Sequence, residues 1–121
     1  MSTVPRNDLR VKRAYDPKSP DDGQRILVDR LWPRGLRKAD LEDAVWMKEV
    51  APSRELRTWF AHKPERWDGF RTRYIDELEH NPALSDLRRR LAEGPVTLLY
   101  GAHDRARNQA VVLAEHLRRG A

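Results

Sequence analysis

Two short apolar runs, Ile26–Val28 and Val96–Tyr100, constrain this chain most, because a long stretch with helical periodicity separates them. Neither run alternates apolar with polar residues, the pattern of strands covered on both faces. Strands of that kind, separated by helices of ten residues or more, call for a layered α/β domain with a mainly parallel sheet. In such a sheet, ligands sit beyond the carboxyl ends of the strands. Whatever follows Val28 and Tyr100 is therefore the first place to look for function.

The remaining elements fit this frame. Leu9–Tyr15 alternates weakly and reads as a first strand, and the turn-rich segment 16–23 (DPKSPDDG) as a loop. The second strand runs over Arg25–Leu31 and ends at Pro33 and Gly35. Asp40 is placed to cap a short helical turn. Ala44–Val50 reads either as a third strand or as a continuing helix. Ser53 is a good N-cap for a helix over Arg54–Ala61, with Leu56, Trp59 and Phe60 on one side. Pro64 opens a longer helix with Trp67, Phe70, Tyr74 and Leu78 inward. Asn81-Pro82 starts another, with Leu84, Leu87 and Leu91 inward and Gly94 at its end. Asp104 is expected to cap the last helix, which turns Ala110, Leu113, Ala114 and Leu117 inward and ends at Gly120. The expected product is one domain over residues 9–121, with three or four strands, after a disordered lead-in over residues 1–8.

Composition narrows the function classes. A chain of 121 residues supports one real core. No apolar run approaches the roughly 20 residues of a membrane span, and the N-terminus lacks an apolar signal region. There is no cysteine, hence no thiolate nucleophile. These features point to a cytoplasmic protein with no membrane partner. The formal charge of +5 is unevenly placed. Residues 1–38 hold ten Lys/Arg against five Asp/Glu, whereas the remainder holds fourteen of each. Arginine outnumbers lysine 19 to 5, and its flat fork suits carboxylates and phosphates.

The candidate site lies in the basic segment. Asp29, Arg30, Trp32, Arg34 and Gly35 crowd the end of the second strand, more charge and aromatic surface than packing requires. Arg30 and Arg34 suit an anion clamp. Trp32 serves either as a stacking wall or as a cover for the sheet edge, and Gly35 shapes the loop. Ser53 offers a hydroxyl at a helix N-terminus, where orphan N–H groups attract anions. His62 is the best proton-transfer candidate by its ordinary pKa, with Asp104 beside it as a second. Tyr100 and Asn108 flank the last strand's loop. If the strands are parallel, all these groups share one edge. No Walker lysine loop, Gly-x-Gly-x-x-Gly or repeated His/carboxylate spacing is present, so no cofactor or metal is expected.

Four stretches carry a family resemblance: VDRLWPRG (28–35), APSxxLRxWFxH (51–62), PERWDGFxxRYxxEL (64–78) and VTLLYxAxDxxxNxAxxLxxxL (96–117). With them the chain resembles the YeaO-like branch of the domain-of-unknown-function-488 family, from about Val11 to Leu117. The resemblance implies a compact α/β domain whose signature loops are Asp29–Gly35 and Tyr100–Asn108. Longer members carry a cysteine in the last strand and a Cys-His-Arg triplet at the start of the last helix. Here Tyr100 stands in that strand and Asn108 near the triplet position, so thiol chemistry does not carry over.

The leading expectation is a pocket for a small phosphate- or carboxylate-bearing ligand, with catalysis left open. Two alternatives remain: a nucleic-acid-binding module using the basic first third with Trp32 stacking, and a protein-partner module using the same Trp/Arg-rich edge.

Overall fold

The computed structural model describes residues 8–119. The lead-in expected over residues 1–8 therefore lies outside the described residues except for Asp8, as does Gly120. Asp8 already belongs to the fold, its carbonyl accepting the Val96 N–H at 2.9 Å.

Four strands form one sheet: β1 (Leu9–Arg13), β2 (Gln24–Leu27), β3 (Val45–Trp46) and β4 (Val96–Tyr100). Their order is β1-β4-β2-β3 and every neighbouring pair is parallel. β4 lies between β1 and β2, so all five of its residues are buried, as its unbroken apolar run requires. Between β3 and β4 come α1 (Arg54–Phe60), α2 (Trp67–Glu79) and α3 (Ala83–Glu93), and α4 (Gln109–Arg119) follows β4.

The alternation of side chains across each strand sorts the sheet into two unlike faces. Leu9, Ile26, Val28, Val96, Leu98 and Tyr100 join the main core with the helices' inner residues Leu56, Phe60, Phe70, Tyr74, Leu78, Leu87 and Leu113. Within it Phe60 stacks on Phe70 with ring centroids 4.4 Å apart. Leu27 and Leu99 point the other way and, with Ala14 and Leu41, form a smaller cluster covered by Trp32, Leu36 and Ala44. No helix among those four roofs this second face. The segment between β2 and β3 does so, beside a polar network in which Asp22, 1% exposed, meets Lys12 at 3.0 Å and Arg25 at 3.3 Å. Arg25 continues the network to Asp43 at 3.0 Å. A buried carboxylate is tolerable here because two cations and the Ser19 N–H satisfy it.

Helix starts follow the residues that precede them. The Ser53 hydroxyl accepts the Leu56 N–H at 3.1 Å, and Asn81 Oδ1 accepts the Ala83 N–H at 2.9 Å. Pro64 opens a 3-10 turn over Pro64–Arg66 that runs into α2.

Four expectations are corrected in detail. The second strand ends at Leu27 rather than Leu31, although the Val28 N–H still reaches the Leu99 carbonyl at 3.0 Å. Ala44–Val50 supplies only two strand residues and then a 3-10 turn over Lys48–Val50. The last sheet bond on this side is Met47 N–H to the Leu27 carbonyl, and the charged pair Lys48-Glu49 beyond it stays exposed. Asp40 holds its turn from inside, accepting the Arg37 N–H at 2.7 Å from the third position of the 3-10 helix Lys38–Leu41. Asp104 does not cap α4. It accepts the Ala106 and Arg107 N–H groups of the preceding turn, and Asn108 takes the Val111 N–H at 3.1 Å as the cap.

Candidate functional site

A cleft of about 800 Å³ opens at the carboxyl edge of the sheet. Three segments build it: residues 29–34 after β2, residues 57–62 on and after α1, and residues 101–109 between β4 and α4. Of the residues singled out from the sequence, Asp29, Arg30, Trp32, Arg34, His62, Asp104 and Asn108 all line it. They converge because β2 and β4 are parallel neighbours, so both chain exits leave on one side.

Asp29 is the floor. Its Oδ2 accepts the Gly101 N–H at 2.9 Å, and its Oδ1 accepts from the Gln109 amide. A Cβ on residue 101 would stand 2.8 Å from that same Oδ2, so only glycine lets the backbone come this close to the carboxylate. Arg13 fastens the turn from behind, donating to the Ala102 and Gly101 carbonyls at 2.9 and 3.3 Å. Burial raises the Asp29 carboxyl to a pKa of about 6, against the opposing effects of the Gly101 N–H, the Gln109 amide and the Arg57 charge. It therefore titrates near neutrality.

Three guanidinium groups face the same space. Arg30 donates to the Ala51 carbonyl at 3.2 Å, while its Nε is buried and has no hydrogen-bond partner. Arg57, projecting from α1, likewise keeps a buried Nε without a partner. Arg34 sits at the rim, exposed, on a turn closed by the Leu36 N–H and the Pro33 carbonyl. Gly35, with φ +85°, occupies the position of that turn where left-handed backbone is required. It shapes the loop and lies outside the cleft lining. Three guanidinium groups on one cleft make it a place suited to an anionic acceptor.

Other candidates take structural roles. Trp32 touches the cleft, but its indole donates to the Leu36 carbonyl at 2.7 Å and meets Trp46 edge-on at 5.3 Å. That arrangement makes it the roof of the second face. Ser53 turns away from the cleft and gives its hydroxyl and amide to Glu77, at 2.6 and 2.9 Å. An internal carboxylate thus already occupies that helix terminus. Tyr100 is buried in the core, and burial raises its phenol. Asn108 is satisfied at both ends, its Nδ2 donating to the Asp104 carbonyl at 2.9 Å. Asp104 is held below the usual carboxylate range by the Arg107 and Ala106 N–H groups, which suits a fixed charge better than a proton donor.

His62 follows Ala61, and both adopt left-handed backbone, with φ 57° and 46°. His62 lines the cleft with its imidazole 5.8 Å from the Phe60 ring. Among the described residues, no group of three His, Asp or Glu side chains is arranged to hold a metal ion.

Sequence reasoning missed Arg57, Thr58 and Gln109. Arg57 lies beside Leu56 on the amphipathic helix, where an arginine reads as solvent-facing. Nothing local marks Gln109, whose partner Asp29 is 80 residues away.

A small parallel α/β domain with an arginine-lined cleft at its carboxyl edge is the class of protein that fold and site define. The chain belongs to the DUF488 family: the model of the inactive DUF488-N3 subclade matches it over residues 8–120. It is 49% identical over 109 residues to an uncharacterised protein of Mycobacterium tuberculosis strain H37Rv, covering 90% of this chain and 92% of that one. It is 44% identical over 115 residues to the uncharacterised protein YeaO of Escherichia coli K12, covering 92% and 97% respectively. No solved structure matches it.

Proposed function

We propose that the cleft binds a small molecule through a phosphate or carboxylate group. The observation that carries this reading is the convergence of three guanidinium groups, those of Arg30, Arg57 and Arg34, on one cleft. Cleft-facing guanidinium N–H groups of these arginines would give an incoming oxyanion charge-assisted hydrogen bonds, each worth about 1.5–3 kcal/mol. The description of the matching subclade as inactive favours binding over turnover. So does the chemistry of Tyr100 and Asn108: both are tied up in core and cap, where the family resemblance implies cysteines in longer members. The absence of cysteine from the sequence and of any helix long and apolar enough to cross a membrane among the described residues favours a cytoplasmic setting.

The test is a thermal-shift and calorimetric screen against phosphates, sugar phosphates, nucleotides, carboxylates and short oligonucleotides. A small anion that stabilises the protein, with affinity cut about 10- to 100-fold in Arg30→Ala and in Arg57→Ala, supports the reading. Binding confined to oligonucleotides and abolished by salt would replace it with a nucleic-acid role.

A further inference from the structure

The floor of the cleft adds a discriminating element that the arginines lack. Asp29 is an acceptor set among donors. Its oxygens each accept one hydrogen bond, from Gly101 and from Gln109, and each retains a second lone pair. The carboxylate is also held in place: the Gly101 N–H and the Gln109 amide bond its two oxygens from different segments. The charged and titratable groups around it are Arg30 and Arg34 on its own segment and Arg57 on α1, with His62, His103 and Asp104 on the loops lining the same cleft.

An anion held by Arg30 and Arg57 thus meets a rigid carboxylate on the same floor. An oxyanion bearing only acceptors would set lone pairs against lone pairs. One that carries its own O–H would donate it to Asp29 and accept from the arginines. Resting on the anion-binding reading above, we propose that Asp29 restricts the cleft to anions that bring a hydroxyl donor at or beside the charged group. Hydrogen phosphate and phosphate esters with a neighbouring hydroxyl belong to this class, and sulfate does not. Specificity of this kind works by exclusion, through a repulsive element facing the wrong ligand.

Hydrogen phosphate and sulfate serve as probes, because near pH 8 they match in charge and closely in shape and differ by one proton. Calorimetric titration of the wild-type protein is expected to give phosphate an advantage of at least about tenfold. Asp29→Asn replaces an obligate acceptor by an amide that also donates, and is expected to bring the ratio close to one by strengthening sulfate binding. Circular dichroism of the variant confirms that it is folded, and Arg57→Ala should weaken both anions together. Equal binding of the two anions by the wild type overturns the inference and leaves the anion reading standing. So does a phosphate preference that survives Asp29→Asn. If neither these anions nor any other in the screen binds, both fall.

Discussion

Asp29 predicts an unusual outcome for a conservative substitution. Its carboxyl titrates near pH 6 in the folded protein, against an ordinary value of 3.8, and burial is the main cause. The shift of about 2.2 pH units corresponds to about 3 kcal/mol between the protonated and ionised forms. The folded state holds this proton more tightly than the unfolded state. The contribution of Asp29 to stability is therefore full below pH 3.8 and lost as pH rises through about 6. Above that, ionised Asp29 makes the fold less stable by about 3 kcal/mol than a neutral group of the same shape would. Asp29→Asn is such a group, and its amide can still accept from Gly101. At pH 8 it should raise stability by up to about 3 kcal/mol, or about 10 °C in melting temperature for a domain of this size. Urea unfolding of both proteins between pH 4 and pH 8 is the assay. The difference between them should grow by about 1.4 kcal/mol per pH unit between pH 4 and 6, then level off. If the variant is less stable at pH 8, or the difference is flat with pH, Asp29 is not a desolvated carboxylate.

Three further outcomes follow from the packing and the site. Arg57→Ala removes the cation that lowers the Asp29 carboxyl, so its titration midpoint, followed by carbon-detected NMR, should move above pH 6. Tyr74→Phe deletes the buried phenol that donates to the Val50 carbonyl at 2.6 Å and leaves that oxygen unpaired, at a cost of about 1–3 kcal/mol in chemical denaturation. Ser53→Ala loses both the cap to Leu56 and the bond to Glu77, and should lower stability by about 1–2 kcal/mol without changing anion affinity. Anion binding weakened as much as in Arg30→Ala would return Ser53 to the site.

Much of the fold was legible because its determinants are local. The unbroken run Val96–Tyr100 is a central strand, Ser53 and Asn81 cap the helices they precede, and the inward stripes on α2, α3 and α4 fall where their periodicity puts them. The parallel arrangement then brings Asp29–Arg34 and Gly101–Asp104 together, as strand order demands. What stayed hidden depends on distant partners. Asp29 titrates near neutrality because burial raises its carboxyl, and its hydrogen-bond partners Gly101 and Gln109, which oppose that rise, stand 72 and 80 residues away. Arg57 follows the buried Leu56 on a helix, where an arginine reads as solvent-facing, and only the tertiary fold gives it a cleft to line. Asp104 and Asn108 both match a cap residue. Eight irregular residues between β4 and α4 decide which one serves, and periodicity does not measure loops.

The segment between β2 and β3 has two tasks that constrain each other. Its first residues present Arg30 and Arg34 to the cleft, while Trp32, Leu36, Leu41 and Ala44 seal Leu27 and Leu99 on the helix-free face. Moving the backbone of this segment to capture a ligand would lift that seal and wet the sheet. If the cleft binds an anion as proposed, the backbone that carries these arginines is preorganised, and free and bound proteins should superimpose closely. Substitutions on the far side of the sheet, at Leu99 or Leu41, should then register as losses of affinity at a cleft they never touch.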